Sequence, residues 1–214
     1  MLLKNTAIDR YILDHTTPED ALLKELNRKT HLQVLQPRMV SGHLQGIILE
    51  MISRMINPTY ILEIGTFTGY SAICLAKGLR SEGTLHTFEI NDELENIATE
   101  YIKKSPNASQ IVQHIGSALD LAPALNIKFD LVFIDGDKRE YPLYYQMVKK
   151  IISPGGYILA DNVLWDGKVV EQPMPTDEYT TQINWFNEIV QNDNEVENVI
   201  LPFRDGMTLI RMIN

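Results

Sequence analysis

Two short stretches of the sequence end in side chains that can bind a metal ion. The segment "FDLVFID", residues 129–135, is an apolar run ending at Asp135, and "GGYILAD", residues 155–161, ends at Asp161, which Asn162 follows. If both are strands of one parallel sheet, their carboxyl ends lie at the same edge. Carboxylate and amide oxygens suit Mg²⁺, which keeps open positions for water or substrate. The sequence therefore predicts a metal site formed by Asp135, Asp161 and Asn162.

A lysine follows the first carboxylate at a spacing that suits a general base. Lys138 lies three residues after Asp135, at the start of the next predicted helix, from where it can reach over the metal. A nearby cation and a closed site would lower the pKa of its ammonium group. The neutral amine could then accept a proton from a hydroxyl made acidic by the metal. The structural alternative is that Asp137 only caps the helix and that residues 161–162 only form a turn.

A glycine-containing loop, "LEIGTFTGYS" at residues 62–71, joins a predicted strand to a predicted helix. Gly65 and Gly69 allow the backbone to approach a ligand closely. The dinucleotide fingerprint needs glycines at its first, third and sixth positions, but Phe67 and Tyr70 occupy two of them. The loop therefore does not favour a pyrophosphate or a dinucleotide-dependent oxidoreductase. A tight turn without a ligand is the alternative interpretation.

Two acidic residues near this loop favour a nucleoside that has no phosphates. Glu89 ends the second predicted strand, where a carboxylate can accept hydrogen bonds from both ribose hydroxyls. Glu63 lies inside an apolar strand, and a buried carboxylate needs donors from the loop or from a ligand ammonium group. S-adenosylmethionine is an adenosine with such a group. For Glu89 the alternative is a solvated residue at a strand end.

The elements that must position these residues alternate along the chain. Three helices come first, at about 5–15, 18–35 and 41–56, with Thr17 as the N-cap of the second and Pro18 at its first position. The strands follow at 60–64, 84–90, 110–115, 129–135, 155–161, 196–202 and 207–212, and the later helices at about 70–80, 92–104, 117–124, 138–152 and 177–191. This alternation predicts a mostly parallel sheet with helices on both faces, ending in an antiparallel pair.

Composition narrows the class of protein. The 214 residues are 44% hydrophobic, which is enough for a single domain with one core. Within that domain, the helical patterns at the start of the chain lead us to expect that residues 1–40 form a helical N-terminal extension. The net charge of −9 argues against a protein that covers a long nucleic acid by charge alone. The single cysteine, Cys74, excludes an internal disulfide and favours a reducing, cytoplasmic setting. We expect neither a signal peptide nor a membrane span.

Together these stretches resemble the cation-dependent, S-adenosylmethionine-dependent O-methyltransferases of the catechol and caffeoyl-CoA type. The resemblance runs from about Met39 to the C-terminus and rests on "LEIGTFTGYS", "FIDGDK" and "ADNVLWDGKV". It implies an α/β, Rossmann-like class I methyltransferase fold, with a seven-stranded, mostly parallel sheet whose last strand is antiparallel. It also implies that Mg²⁺, Mn²⁺ or Ca²⁺ binds Asp135, Asp161 and Asn162, and that Lys138 is the general base. The residues implied around the methyl donor are Met39, Ser41, Glu63, Gly65, Ser71, Glu89, Ser117, Ala118 and Asp135.

The acceptor is left open between two kinds of molecule. The leading hypothesis is a phenolic small molecule with vicinal hydroxyls, for which Trp165 could form a wall, unless it only packs on the surface. The alternative is 5-hydroxyuridine in tRNA, a substrate of some bacterial members of the family, with Arg28, Lys29 and Arg38 near phosphates. A non-catalytic binder is a further hypothesis, which the intact Lys138 and metal ligands oppose. The helical N-terminus is similar to that of bacterial members, which usually form homodimers.

Overall fold

The computed structural model describes residues 6–213, whose strands form one seven-stranded sheet. The strands are β1 Tyr60–Ile64, β2 Thr84–Glu89, β3 Ile111–Ile115, β4 Phe129–Ile134, β5 Ile152–Asp161, β6 Val196–Leu201 and β7 Met207–Met212. Their order is β3-β2-β1-β4-β5-β7-β6. Strand β7 pairs antiparallel with both β5 and β6. The prediction of a mostly parallel sheet with an antiparallel last strand is confirmed.

The helices of the described chain follow the predicted order with shifted ends. They are α1 Thr6–Asp14, α2 Ala21–Gln33, α3 Gly42–Ile56, α4 Tyr70–Ala76, α5 Glu95–Lys104, α6 Ala118–Ala124, α7 Tyr141–Ile151 and α8 Glu178–Gln191. Short 3₁₀ turns, Asp92–Leu94 and Lys138–Glu140, take the places where α5 and α7 were predicted to begin. The predicted start of the first helix, at residue 5, lies outside the described residues.

The predicted start of the second helix was wrong. Asp20, and not Thr17, is the N-cap of α2, and its carboxylate accepts a hydrogen bond from the Leu22 N–H at 2.8 Å. The preceding Glu19 is engaged elsewhere, since it accepts a hydrogen bond from the Tyr70 hydroxyl at 2.7 Å. A carboxylate is among the best capping groups for free N–H donors, so the helix begins three residues later than predicted.

The chain divides into two compact units, and the N-terminal unit comprises the described residues up to Ile61 together with Thr66–Ser117. It contains α1 to α5 with β2 and β3, and α3 packs against α4. Its interior includes Leu26, Leu49 and Leu75, all fully buried. Burial of such side chains is the main favourable term in folding.

The C-terminal unit comprises Leu62–Gly65 and the described residues from Ala118 onward. Strand β4 pairs in parallel with β5, and β5 pairs with β7, so β5 is hydrogen-bonded on both sides. The rings of Tyr141 and Tyr145 meet Phe186 edge to face, with centroids 5.4 and 5.9 Å apart. Helices α7 and α8 thus pack through aromatic contacts. None of the helices in residues 6–213 has the length and apolar character needed to cross a membrane.

Candidate active site

The sheet order reverses between β1 and β4, and this is where ligands bind in open α/β sheets. At this point the N–H of Asp135 donates to the carbonyl oxygen of Ile64 at 2.8 Å. Gly65 follows with φ +102, and a Cβ atom at this position would lie 2.4 Å from the carbonyl oxygen of Asp135. Glycine is therefore required here both by the backbone angle and by the close approach.

A buried network joins the ends of β4 and β5. The Lys138 Nζ donates to Asp135 Oδ1 at 2.7 Å and to the Tyr141 hydroxyl at 2.7 Å. The Tyr141 hydroxyl lies 2.8 Å from the backbone carbonyl oxygen of Asp161 and 3.1 Å from that of Ile134. Lys138 and Asp161 are buried, with 8% and 4% exposed. The structure thus joins the predicted base directly to Asp135 and, through Tyr141, to the backbone at Asp161.

The electrostatics of this network favour a cation. Burial, together with the charge of Asp161, raises the pKa of Asp135 to about 6, although the charge of Lys138 opposes the shift. Burial and the carboxylates of Asp135, Asp161 and Asp205 raise the pKa of Tyr141 well above its ordinary value. Tyr141 therefore keeps its proton at neutral pH. Negative charge held in a low-dielectric interior is stabilised by an added positive charge.

The segment after β5 adopts an unusual backbone conformation. Asn162, Trp165 and Asp166 all have positive φ angles, of 59°, 47° and 54°. The N–H of Asn162 donates to Asp161 Oδ1 at 2.9 Å. The N–H of Trp165 donates to the carbonyl oxygen of Asn162 at 3.3 Å, so a turn begins at Asn162. Such left-handed residues are strained unless their surroundings hold them in place.

The hairpin between β6 and β7 holds this segment. The N–H groups of Val163 and Leu164 donate to the carbonyl oxygens of Gly206 and Asp205, at 3.2 and 3.0 Å. The N–H of Asp166 donates to the Asp205 carboxylate at 2.7 Å. The sequence predicted the antiparallel strand pair on either side of these residues but gave no role to Asp205. No local pattern could have indicated a contact across 39 residues.

Trp165 is held by an aromatic neighbour. Its ring stacks on that of Tyr179 from α8, with centroids 5.7 Å apart and planes 14° apart. The Arg139 guanidinium lies 5.2 Å from the centroid of the Tyr179 ring. Arg139 is in turn bound by Asp137, which also caps the 3₁₀ turn by accepting the Arg139 N–H at 2.9 Å. Asp137 therefore caps the 3₁₀ turn, whereas the N-cap position of helix α7 is occupied by Glu140, so the alternative that Asp137 caps the helix holds only for the turn that precedes it.

The remaining acidic candidates differ in their surroundings. Glu89, in the N-terminal unit, accepts hydrogen bonds from the Phe67 N–H at 2.8 Å and from the Asn91 N–H at 3.0 Å. Its two carboxylate oxygens are thus oriented by the backbone and each keeps a free lone pair, unlike a solvated residue at a strand end. Glu63, in the C-terminal unit, is fully buried, as the apolar strand predicted.

The other residues predicted around a donor are divided between the units. Ser41 and Ser71 are buried and Met39 is 57% exposed in the N-terminal unit, where Ser117 is half-buried. Ala118 is buried at the start of α6 in the C-terminal unit. Cys74 is buried in α4, as expected for a core residue.

The described residues contain no group of three or more His, Cys, Asp and Glu side chains arranged to hold a metal ion. The predicted ligand set is of a different kind, because only two of its three members are carboxylates and the third is the amide of Asn162. This composition suits a hard divalent ion rather than zinc.

Comparison with known proteins agrees with this arrangement. A family profile described as O-methyltransferase matches residues 13–213. A caffeoyl-CoA O-methyltransferase of Eucalyptus gunnii is 32% identical over 224 residues, covering 99% of this chain and 90% of that protein. A catechol O-methyltransferase of Niastella koreensis is 32% identical over 213 residues, covering 95% of each chain. The structure of an O-methyltransferase from Bacillus cereus in complex with SAH has a TM-score of 0.90 and 30% identity, covering 96% of this chain and 97% of that one.

The fold and the matched residues define a Rossmann-like methyltransferase. The chain belongs to the O-methyltransferase family, and it is an O-methyltransferase. The family implied by the sequence motifs is therefore confirmed.

Proposed function

We propose that the protein transfers the methyl group of S-adenosylmethionine to one of two vicinal hydroxyls of a catechol-like small molecule, and that it requires a divalent cation. The observation that carries this proposal is the part-buried contact of the Lys138 amine with the Asp135 carboxylate, whose pKa is also affected by the charge of Asp161. A base next to oxygen ligands at strand ends suits deprotonation of a chelating hydroxyl.

The side chains at the ends of β4 and β5 fit a divalent cation. Asp135 and Asp161 are close enough for the charge of one to raise the pKa of the other, and the amide of Asn162 adds a third oxygen. We assign Mg²⁺ to this set, with Mn²⁺ and Ca²⁺ as the other ions with the same ligand preference. A cation bound there would lower the pKa of the acceptor hydroxyl and hold its two oxygens in place.

The chain's own residues supply the base and its orientation. Lys138 Nζ, when neutral, accepts the proton of the acceptor hydroxyl. The resulting oxyanion forms an O–CH₃ bond as the S–CH₃ bond of the donor breaks, without a covalent enzyme intermediate. Such a reaction depends on positioning and charge placement. Trp165, stacked on Tyr179, supplies a wall of fixed orientation for a flat ring.

Glu89 supports the assignment of the donor. Its oriented carboxylate can accept hydrogen bonds from both hydroxyls of a ribose. SAH, which is bound in the similar Bacillus cereus structure, is the product left when S-adenosylmethionine gives up its methyl group. We propose the same donor here, with Met39, Ser41, Glu63, Gly65, Ser71, Ser117, Ala118 and Asp135 as further residues that contact it.

The test is transfer of labelled methyl from S-adenosylmethionine, with Mg²⁺ or with EDTA, to a panel of catechols and to bulk tRNA. Metal-dependent label in catechols is the expected result. Label with equal rates in EDTA would refute the metal requirement, and label only in tRNA would refute the small-molecule acceptor.

A tRNA acceptor is the second candidate, and the structure weakens one part of its support. Lys29, one of the three residues proposed near phosphates, is bound to Glu100 at 2.6 Å. Arg28 and Arg38 are exposed. An anticodon loop would therefore meet fewer available cations than the sequence suggested.

We also propose that the protein forms a homodimer. Helix α1 exposes Ile8, Tyr11 and Leu13, each by more than 40%, and large exposed apolar groups often mark an interface. Light scattering during size-exclusion chromatography should give twice the mass of the chain. A single-chain mass at micromolar concentration would refute the proposal.

A further inference from the structure

The hydroxyl group of Tyr141 holds a central place in the network around Lys138. It accepts a hydrogen bond from Lys138 Nζ at 2.7 Å and lies 2.8 Å from the carbonyl oxygen of Asp161. The side chain is fully buried. Burying a hydroxyl is unfavourable unless it is hydrogen-bonded, and the packing of the ring against Phe186 does not need it.

The hydrogen atoms of this network can be assigned from its acceptors. A tyrosine hydroxyl has one hydrogen, and the carbonyl oxygen of Asp161 can only accept it. The lone pairs of the Tyr141 oxygen are therefore available to Lys138, which must be the donor in that contact. The ammonium group has three hydrogens, and within the described chain two of them are directed to Tyr141 and Asp135.

This assignment determines how Lys138 Nζ is oriented. Of the three tetrahedral directions at the nitrogen beyond the bond to Cε, one is held by Asp135 and one by Tyr141. The third direction is thereby fixed as well, and it is the direction that remains for a proton exchanged with an acceptor hydroxyl. Without the Tyr141 hydroxyl, the amine could rotate and this direction would no longer be fixed.

We propose that Tyr141 is a positioning residue that orients Lys138 for proton transfer, an inference that rests on the proposed role of Lys138 as the base. Tyr141 does not touch the reacting atoms in this account. It acts by accepting one N–H of the lysine, while its own hydrogen is held by the backbone at the end of β5.

The variant Tyr141→Phe isolates the hydroxyl. It keeps the ring, which packs against Phe186 and lies 4.8 Å from Lys138 Nζ. The matched control is Tyr145→Phe on the same helix. Tyr145 also packs edge to face on Phe186, and its hydroxyl donates to Asp193 at 2.8 Å. Both variants lose one hydroxyl group, but only the first loses a contact with Lys138.

The first measurement is steady-state methyl transfer with a catechol acceptor. Tyr141→Phe should lower kcat about ten- to a hundredfold, because misorientation of a catalytic group affects the chemical step, and should leave KM within about twofold. Tyr145→Phe should leave both parameters within about twofold. In a Lys138→Met background, adding Tyr141→Phe should change the residual rate by less than about twofold, because the group that it orients is absent.

The second measurement needs neither metal nor substrate. In the ¹⁵N-lysine-labelled protein, the hydrogen-bonded Nζ of Lys138 should give a resolved ¹H–¹⁵N signal, which Lys138→Met identifies by its loss. Tyr141→Phe should broaden or shift this signal, and Tyr145→Phe should not. Thermal unfolding of all variants shows whether they remain folded at the assay temperature.

The outcomes separate the two proposals. Wild-type kcat in Lys138→Met would overturn the role of Lys138 as the base, and this inference with it. An inactive Lys138→Met together with wild-type kcat in Tyr141→Phe would overturn the role of Tyr141 alone. An equal fall in kcat for Tyr141→Phe with and without Lys138, or an unchanged Lys138 signal, would also show that the tyrosine is merely structural.

Discussion

Replacing Gly65 by alanine tests how closely the loop after β1 is packed against the backbone of Asp135. An added Cβ would lie 2.4 Å from the Asp135 carbonyl oxygen and 2.8 Å from its carbonyl carbon. Separations below 3.0 Å are essentially never adopted by real Cβ atoms. The neighbouring atoms belong to the backbone, so no side-chain rotation can relieve the contact.

Two separate effects set the size of the expected loss. Gly65 has φ +102, and an L-residue in the left-handed region costs about 1–2 kcal/mol. Forcing extra atoms into packed structure costs about 1–3 kcal/mol more. The free energy of unfolding of Gly65→Ala should therefore fall by about 2–5 kcal/mol. For a chain of this size, that lowers Tm by about 4–20 °C.

Gly155→Ala is the matched control. Gly155 also has a positive φ, +71, but an added Cβ would meet no atom within 4 Å. This variant should lose only the backbone contribution, about 1–2 kcal/mol. Because Gly65→Ala displaces the backbone that carries Asp135, it should also slow methyl transfer, whereas Gly155→Ala should not.

The assays are urea unfolding followed by circular dichroism and methyl transfer under identical conditions. A Gly65→Ala variant as stable as Gly155→Ala, with unchanged kcat, would show that the carbonyl of Asp135 is not tightly held. The reasoning from the close approach of the two backbone segments would then be wrong.

Three further predictions concern the donor, the metal and the loop after β5. Glu89→Gln should weaken S-adenosylmethionine binding about tenfold or more in calorimetry, since hydrogen bonds to a charged group contribute about 1.5–3 kcal/mol. The control is Glu93→Gln, at an exposed residue. Equal affinities of the Glu89→Gln and Glu93→Gln variants for the donor would contradict the assignment. Because the pKa of Asp135 is raised to about 6 and a bound ion needs the carboxylate form, Mg²⁺ affinity should fall about tenfold per pH unit below that value and level off above it; constant affinity from pH 5 to 8 would exclude this. Asp205→Ala removes the carboxylate that holds the loop after β5 and should raise KM for the acceptor several-fold, whereas Asp205→Asn keeps an oxygen acceptor and should do so less. The control is Glu197→Ala, at an exposed residue of β6. An equally large rise in KM for this control would refute the role of Asp205.

Much of the fold and several site residues could be predicted from local sequence patterns. The apolar run that forms β4 ends at Asp135, and Lys138 follows within one helical turn. Their proximity needs only the chain geometry of a strand and the turn after it. The parallel arrangement then places Asp161 at the same edge, because the carboxyl ends of parallel strands lie together.

The tertiary structure alone determined which polar groups hold these residues. Tyr141 resembles any aromatic residue on a buried helix face, and its role depends on the end of β5, 20 residues away. Asp205 contacts the loop after β5 across 39 residues. In the same way, Glu19 is engaged by Tyr70, and Asp20 caps α2 instead of the predicted Thr17. Periodicity and capping patterns describe neighbours along the chain, whereas these hydrogen bonds arise from segments that meet only when the sheet and its helices pack.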